Sequence, residues 1–527
     1  MKKEILKYFS ELELEKFGDF YKLKNDYEKI NNSNNKLILV TSINPTPEGE
    51  GKTTTLIGLN DCLNYFGKSS LACLRQPSMG PFFGIKGGAT GSGQCEILNA
   101  EKINCGFTGD FYEIEAANNL IMSVIENEIY FNSELDINPN KIMWKRCIDI
   151  NDRSLREIKY EIKKGVEIKS GFTITAASYL MALFCIAKNK KDFKDKLDNT
   201  IVAFNKQNKP IYLKDLKISD AVMLVLNNSL KPNLAFSKFG NPIVIHGGPF
   251  ANIAHGCNSL IALTYAINKA EYVFTEAGFG SELGAEKFID ILCREANLIP
   301  DLVVLTITLK AVKHHGKTVL EKTNQKYCVK KLIDVGFENV KHHFNLLKKF
   351  NLNVCIIINK FDSDDEKELN YLKSKSCSLT ISAISTMWQD GPKNNKAIFD
   401  LIVNNINKPK KINFIYNLED NTISKIDKLT INNYQAKHVF YSDIAEQKID
   451  DLNQYISDFY ICGAKTPFSI STSQNVTSFE NNDVLIEDIE INFAAKFIIP
   501  IYSKVFLMPG LPKVPNAKNI KFNDWKK

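Results

Sequence analysis

Residues 37–40 (LILV), running through a short connection into residues 46–55 (TPEGEGKTTT), decide the fold. A short β-type run that enters a glycine-rich turn, with Lys-Thr-Thr-Thr opening a helix, is the sequence form of a phosphate cradle. Gly49 and Gly51 free the backbone to aim N–H groups at phosphate oxygens, and Lys52 brings a point charge. The Thr53 hydroxyl suits a magnesium ion carried in with ATP. The strict P-loop spacing fails, because Thr46 stands where the first glycine belongs. An ordinary helix-capping turn gives no reason for the Gly-x-Gly-Lys-Thr-Thr run. A nucleotide-phosphate site is therefore read over Thr46, Pro47, Glu48, Gly49, Glu50, Gly51, Lys52 and Thr53.

Working outward, strand-length apolar runs recur at 70–74, 272–275, 301–307, 354–359 and 379–383, and residues 242–256 read as a strand running into a turn and a helix, with helical patterns between these stretches. That alternation predicts an α/β fold: a large P-loop-type nucleotide-binding domain on a mainly parallel sheet, with two smaller α/β domains. The expected boundaries are 1–345, 346–420 and 421–527. Residues 1–30 mix apolar and charged side chains at helical spacing and predict an amphipathic leader helix or two. Residues 171–187 predict a long helix. In such folds functional residues sit on loops at the carboxyl ends of strands.

Several loops qualify. Arg75 ends the second of these runs, and residues 79–93 (MGPFFGIKGGATGSG) form a second glycine-rich tract carrying Lys86. Cations and amides gathered in this way suit a transferring phosphoryl group, where catalysis is mostly positioning and charge stabilisation. Asp110, in Thr108-Gly109-Asp110, either holds a cation, orients a nucleophile or caps a helix. His246 and His255 flank a Gly-Gly-Pro turn that their hydrogen bonds are expected to fix; no third ligand at a useful spacing supports a metal there. Phe361 and Trp388 follow two strand ends, as lids of the core or as walls for a flat heterocycle.

Composition narrows the class. A net charge of +7 spread over 527 residues comes mostly from scattered lysines and gives no nucleic-acid footprint. Twelve cysteines without a Cys-x-x-Cys pair fit reduced thiols in a cytoplasmic protein. No run has the length of a membrane span, and the first residues lack the apolar core of a signal peptide.

TPEGEGKTTTLIGL, LRQPSMGPFFGIKGGATGSG, FTGDF, WKRCIDINDRSLR, HGGPFANIAHGCNS, TEAGFGSELGAEKF, CGAKTPFS and MPGLPKVP, in that order, resemble the formate–tetrahydrofolate ligase (10-formyltetrahydrofolate synthetase) family along essentially the whole chain. The resemblance implies a monofunctional ligase: formate and MgATP give formyl phosphate, and N10 of tetrahydrofolate attacks its carbonyl. It implies phosphate binding at 46–53, formyl phosphate stabilisation by Arg75, an active-site aspartate at Asp110, and pterin walls at Phe361 and Trp388. It also implies a homotetramer, a polyglutamylated folate, and activation by K+ or NH4+ held near Gln76 and Ser78. The chain departs from the family in several places. Gln76 replaces Glu, removing one charge from that cation position; Thr173 replaces Asp, Tyr179 replaces Glu, Lys360 replaces Arg, and Asp362-Ser363-Asp364 replaces Pro-Thr-Asp. Two other classes are compatible with the residues: a diverged P-loop ATPase that drives a partner, and a weakened folate- or nucleotide-binding paralogue.

Overall fold

The computed structural model describes residues 8–24, 27, 29–31, 34–47, 49–84, 89–322, 327–406, 411–472, 482–502 and 505–521. Glu48 and Lys86, both read above as site residues, lie outside the described residues.

Ten strands form the main sheet: β1 (Leu14–Phe17), β2 (Phe20–Leu23), β3 (Lys36–Ser42), β4 (Ser70–Leu74), β5 (Asn233–Phe236), β6 (Pro242–Ile245), β7 (Tyr272–Glu276), β8 (Leu302–Thr308), β9 (Val354–Asn359) and β10 (Ser382–Ser385). Their spatial order is β1-β2-β5-β6-β4-β7-β3-β8-β9-β10. From β6 to β10 every neighbouring pair is parallel; β5 and the β1–β2 hairpin add an antiparallel edge. β3 lies between β7 and β8, and its residues 37–40 are continuously apolar because both of its faces are covered. Leu37 and Leu39 enter one hydrophobic core, and Ile38 and Val40 enter the other.

Helix α1 (Lys52–Tyr65) packs its Leu56, Ile57, Leu59 and Leu63 into the second of these cores. Helix α2 (Asp110–Tyr130) belongs to the first, as do α3 (Leu309–Lys322) and α4 (Val329–Lys349). A third core gathers Ile426, Leu429, Tyr434, Ile449, Val484 and Ile498 around small sheets in the C-terminal part of the chain.

Two expectations are corrected. Residues 8–24 form a short 3₁₀ turn and the β1–β2 hairpin, with no leader helix among the described residues. Gly18, at φ 59°, makes the tight turn, and β2 finds its partner in β5, a contact that local spacing does not encode. The helix read over 171–187 is shorter, Tyr179–Ile186, preceded by a strand at Phe172–Ile174 that pairs with Arg146–Ile148. β9 and β10, which follow residue 345 in the chain, complete the main sheet; apolar runs alone do not tell which sheet a strand joins.

One contact sets α3 against α4, and another ties α1 to the β5–β6 turn. A Cβ added at Gly336 would lie 1.8 Å from the Val312 carbonyl oxygen, and one at Gly316 would lie 2.0 Å from that of Leu332. Glycine is thus required where α3 and α4 cross. On α1, buried Asp61 accepts hydrogen bonds from Ser237 Oγ (2.5 Å) and Asn241 Nδ2 (2.7 Å) in the β5–β6 turn. Burial pushes its carboxyl up to about 7.

Gly336→Ala is expected to push α3 from α4 and cost about 1–3 kcal/mol, read as a lower midpoint of thermal unfolding; an unchanged midpoint would show that the helices separate freely. Asp61 holds its proton more tightly when folded, so its contribution is complete below its ordinary value of 3.8 and is lost as pH rises through about 7. Asp61→Asn should therefore lose less stability than the parent between pH 5 and pH 8, compared by melting at the two pH values.

Candidate active site

The loop after β3 is closed by its own side chains. Gly49 and Gly51 sit at φ 80° and 73°, in the left-handed region that favours glycine. The buried Glu50 carboxylate accepts from the Thr46 backbone N–H (2.5 Å) and from Thr46 Oγ1 (3.0 Å). Thr46 therefore replaces the expected glycine with a residue whose N–H and hydroxyl are both spent inside the loop. Lys52 Nζ donates to Ser42 Oγ at 2.9 Å and lies 3.6 Å from Glu50 Oε2. Asn359, at the end of β9, ties the loop down from the side: its Nδ2 donates to the Glu50 carbonyl (3.1 Å) and lies 2.8 Å from Thr55 Oγ1. A Cβ at Gly51 would meet that same Nδ2 at 2.8 Å. The first-turn N–H groups of α1 have no carbonyl one turn back, so they face outward as donors.

Sheet order then brings Arg75 to the loop. β7 lies between β4, which delivers Arg75, and β3, which delivers the loop. Glu276, the last residue of β7, accepts from Thr53 Oγ1 (2.8 Å) through Oε2 and lies 3.6 Å from Arg75 Nη2 through Oε1. The guanidinium also donates to the Pro249 carbonyl (3.1 Å), within the 246–256 segment (HGGPFANIAHG).

On the other side of the loop, β9 and β10 deliver Phe361 and Trp388 at their carboxyl ends. Both rings are half-buried. Trp388 Nε1 donates to Ser92 Oγ (3.0 Å), and the Trp388 carbonyl accepts from the Gln94 N–H (2.8 Å), so the end of the 79–93 tract lies against it. Lys310 Nζ stands 4.6 Å from the centre of the Phe361 ring.

Asp110 is placed differently from Arg75. It begins α2, is 2% exposed and pairs with Lys22 Nζ at 2.5 Å; Asn233 Nδ2 (2.6 Å) and Thr108 Oγ1 (3.1 Å) also donate to it. The cation that it holds is the chain's own ammonium on β2. Ser78 Oγ donates to Asp149 (2.6 Å), whose other oxygen accepts from the Met79 N–H (2.9 Å); burial pushes the Asp149 carboxyl up to about 6. Gln76 is 2% exposed, and neither of its amide atoms has a partner among the described residues. His246 bonds to Ser259 Oγ (2.5 Å) and the Ser229 carbonyl (2.6 Å), whereas both ring nitrogens of buried His255 are unpartnered among the described residues. Burial depresses both imidazoles to about 3, so they are neutral. Thus only His246 braces the turn through its ring.

Sequence reasoning missed Glu276 and Asn359, although both stand at strand ends where such residues are sought. It also missed a buried network behind the loop. The Asn44 backbone N–H donates to His343 Nε2 (3.1 Å), Asn44 Nδ2 donates to Glu282 Oε1 (2.7 Å), and Lys465 Nζ reaches that same oxygen at 3.2 Å. Burial drives the Glu282 carboxyl up and the Lys465 ammonium down. No sequence spacing links residues 44, 282, 343 and 465.

The family model for formate–tetrahydrofolate ligase matches residues 7–527. Formate–tetrahydrofolate ligase of Malacoplasma penetrans is 65% identical over 523 residues, covering 99% of both chains. That of Campylobacter concisus is 43% identical over 521 residues, covering 98% of this chain and 94% of its own. That of Ureaplasma parvum is 46% identical over 499 residues, covering 93% of each. A match of this extent, on a sheet whose carboxyl edge holds the loop, Arg75, Phe361 and Trp388, leads to one conclusion: the chain belongs to the formate–tetrahydrofolate ligase family.

Proposed function

We propose that this chain joins formate to tetrahydrofolate at the expense of ATP, giving 10-formyltetrahydrofolate, ADP and phosphate through formyl phosphate. The observation that carries the reading is the order of groups along one sheet edge in a chain of this family: Arg75, Glu276, the 46–53 loop, then Phe361 and Trp388. Parallel strands stand about 4.8 Å apart, so the edge spans a nucleotide triphosphate at its centre with a small acid on one side and a flat heterocycle on the other.

In this reading the α1 first-turn N–H groups and Lys52 hold the β- and γ-phosphates of ATP. A formate oxygen attacks the γ-phosphorus, the bond to ADP breaks, and Lys52 and Arg75 neutralise the charge that spreads over the transferring group. N10 of tetrahydrofolate, stacked between Phe361 and Trp388, then attacks the formyl carbon; phosphate leaves and N10 loses its proton. The Thr53 hydroxyl beside a Glu276 carboxylate oxygen, 2.8 Å apart, is a hard-oxygen pair that fits magnesium. That ion would supply charge neutralisation at the phosphates. Asp110, tied to Lys22, serves as a positioning residue that fixes the start of α2. At the Gln76 and Ser78 position, Ser78 Oγ donates to Asp149 and keeps its lone pairs, and the Gln76 amide oxygen is unpartnered among the described residues; these oxygens would hold K+ or NH4+, with Asp149 supplying the charge that Gln76 lacks. Cytoplasmic location and a homotetramer complete the reading.

The test is product formation from formate, MgATP and tetrahydrofolate, followed after acid conversion to the absorbing methenyl derivative. Product should require all three substrates, and Arg75→Ala should lower kcat/KM by about 100-fold, the scale of losing one electrostatic stabiliser. ATP hydrolysis that ignores formate and folate would overturn the ligase reading in favour of an ATPase.

A further inference from the structure

We propose that Gly278 is a positioning residue for Arg75: its bare backbone is the surface against which the guanidinium lies, and it sets how far that charge reaches toward formate and the transferring phosphoryl group. The inference rests on the reading of Arg75 as the cation that stabilises formyl phosphate. Gly278 follows the end of β7 by two residues, and both it and Glu276 come against Arg75. The Glu276 carboxylate lies 3.6 Å from Nη2, and a Cβ added at Gly278 would lie 2.8 Å from Nη1 and 3.0 Å from Nη2.

Backbone conformation does not call for glycine here. Gly49 and Gly51 have positive φ, whereas Gly278 does not. What a side chain would lack at 278 is space, and the backbone cannot retreat to make it. The Gly278 N–H donates to the Gly256 carbonyl at 3.0 Å. On the other side, a Cβ added at Gly284 would meet the Gly278 carbonyl oxygen at 2.0 Å. The next residue, Phe279, sits at φ 57°, a conformation that a bulky residue keeps only where its surroundings impose it.

Between a pinned backbone and the far end of a long side chain, the side chain yields. The guanidinium is held by its hydrogen bond to the Pro249 carbonyl (3.1 Å) and by the Glu276 charge, and the Arg75 side chain is 22% exposed. A methyl at 278 therefore displaces the charge and leaves most of the fold in place. Misplacing such a group by about 1 Å costs on the order of 100-fold in rate. A glycine that served packing alone would behave in the opposite way, losing stability first and activity only with it.

The experiment measures kcat and KM for formate, KM for ATP and the midpoint of thermal unfolding in the parent, Gly278→Ala, Arg75→Ala and doubly substituted chains. Gly278→Ala should lower kcat/KM for formate by at least about 10-fold, as a misplaced stabiliser does, and leave KM for ATP within about twofold of the parent. With Arg75→Ala already present, Gly278→Ala should cost almost nothing more, because the group that it displaces is gone. Equal losses in the two backgrounds would overturn the inference, as would unchanged formate kinetics in Gly278→Ala. Ala251 is the other neighbour, its Cβ 2.9 Å from the added one. A chain with Ala251→Gly and Gly278→Ala relieves that contact and restores stability if the methyl unsettles the fold. A formate defect that persists there supports the inference, and recovery sinks it by assigning the defect to Ala251. Should Arg75→Ala itself leave the formate kinetics unchanged, the reading of Arg75 falls and takes the inference with it; a loss there with none in Gly278→Ala removes the inference alone.

Discussion

Burial of β3 on both faces is the constraint from which the rest follows. A strand flanked by parallel neighbours and covered by helices above and below exposes only its ends. The chain leaving its carboxyl end must turn sharply, and Gly49 and Gly51 supply the left-handed backbone that allows it. The same burial fixes β7 and β8 on either side, so whatever ends those strands faces the loop. Glu276, which ends β7, does so through Thr53, and the next strands out bring Arg75 on one side and Phe361 on the other.

The polar groups around the loop gain their effect from being closed in. Glu50, Asn359 and Ser42 fold the loop onto the sheet with short hydrogen bonds and leave Lys52 beside it. Behind it, Glu282 is reached by Asn44, just before the loop, and by Lys465 of the C-terminal segment, so the segment with the third core is bonded to the segment after β3 through one buried carboxylate. A buried pair of this kind adds little net stability, but removing either partner leaves a bare charge and costs about 3–5 kcal/mol. Its effect is to fix geometry. Asp110 and Lys22 do the same at the far edge, joining the start of α2 to the N-terminal hairpin.

The cores on the two faces of the sheet also explain how distant motifs converge. The HGGPFANIAHG segment meets the site through a backbone carbonyl: Pro249 accepts from Arg75, while His246 stays neutral and braces the turn. The 79–93 tract meets it through Ser92 and Gln94, against Trp388. Residues conspicuous in the sequence thus act in part as supports for less conspicuous ones.

The sequence by itself determined the fold class and most of the site edge. Apolar runs of strand length alternating with helical patterns report burial on two faces, and the Gly-x-Gly-Lys-Thr-Thr run reports a local backbone requirement; both are properties of contiguous residues. The position of Arg75, Phe361 and Trp388 at strand ends was legible for the same reason: Arg75 directly follows such a run, and Phe361 and Trp388 lie a few residues past theirs. Only the tertiary structure decided that the first strands form a hairpin on β5, that β9 and β10 complete one sheet, and that Asp110 answers to Lys22 while Arg75 answers to Glu276. Those pairings join residues 88 and 201 positions apart, by way of strand order. Strand order is set by how whole faces pack, and no local pattern carries it.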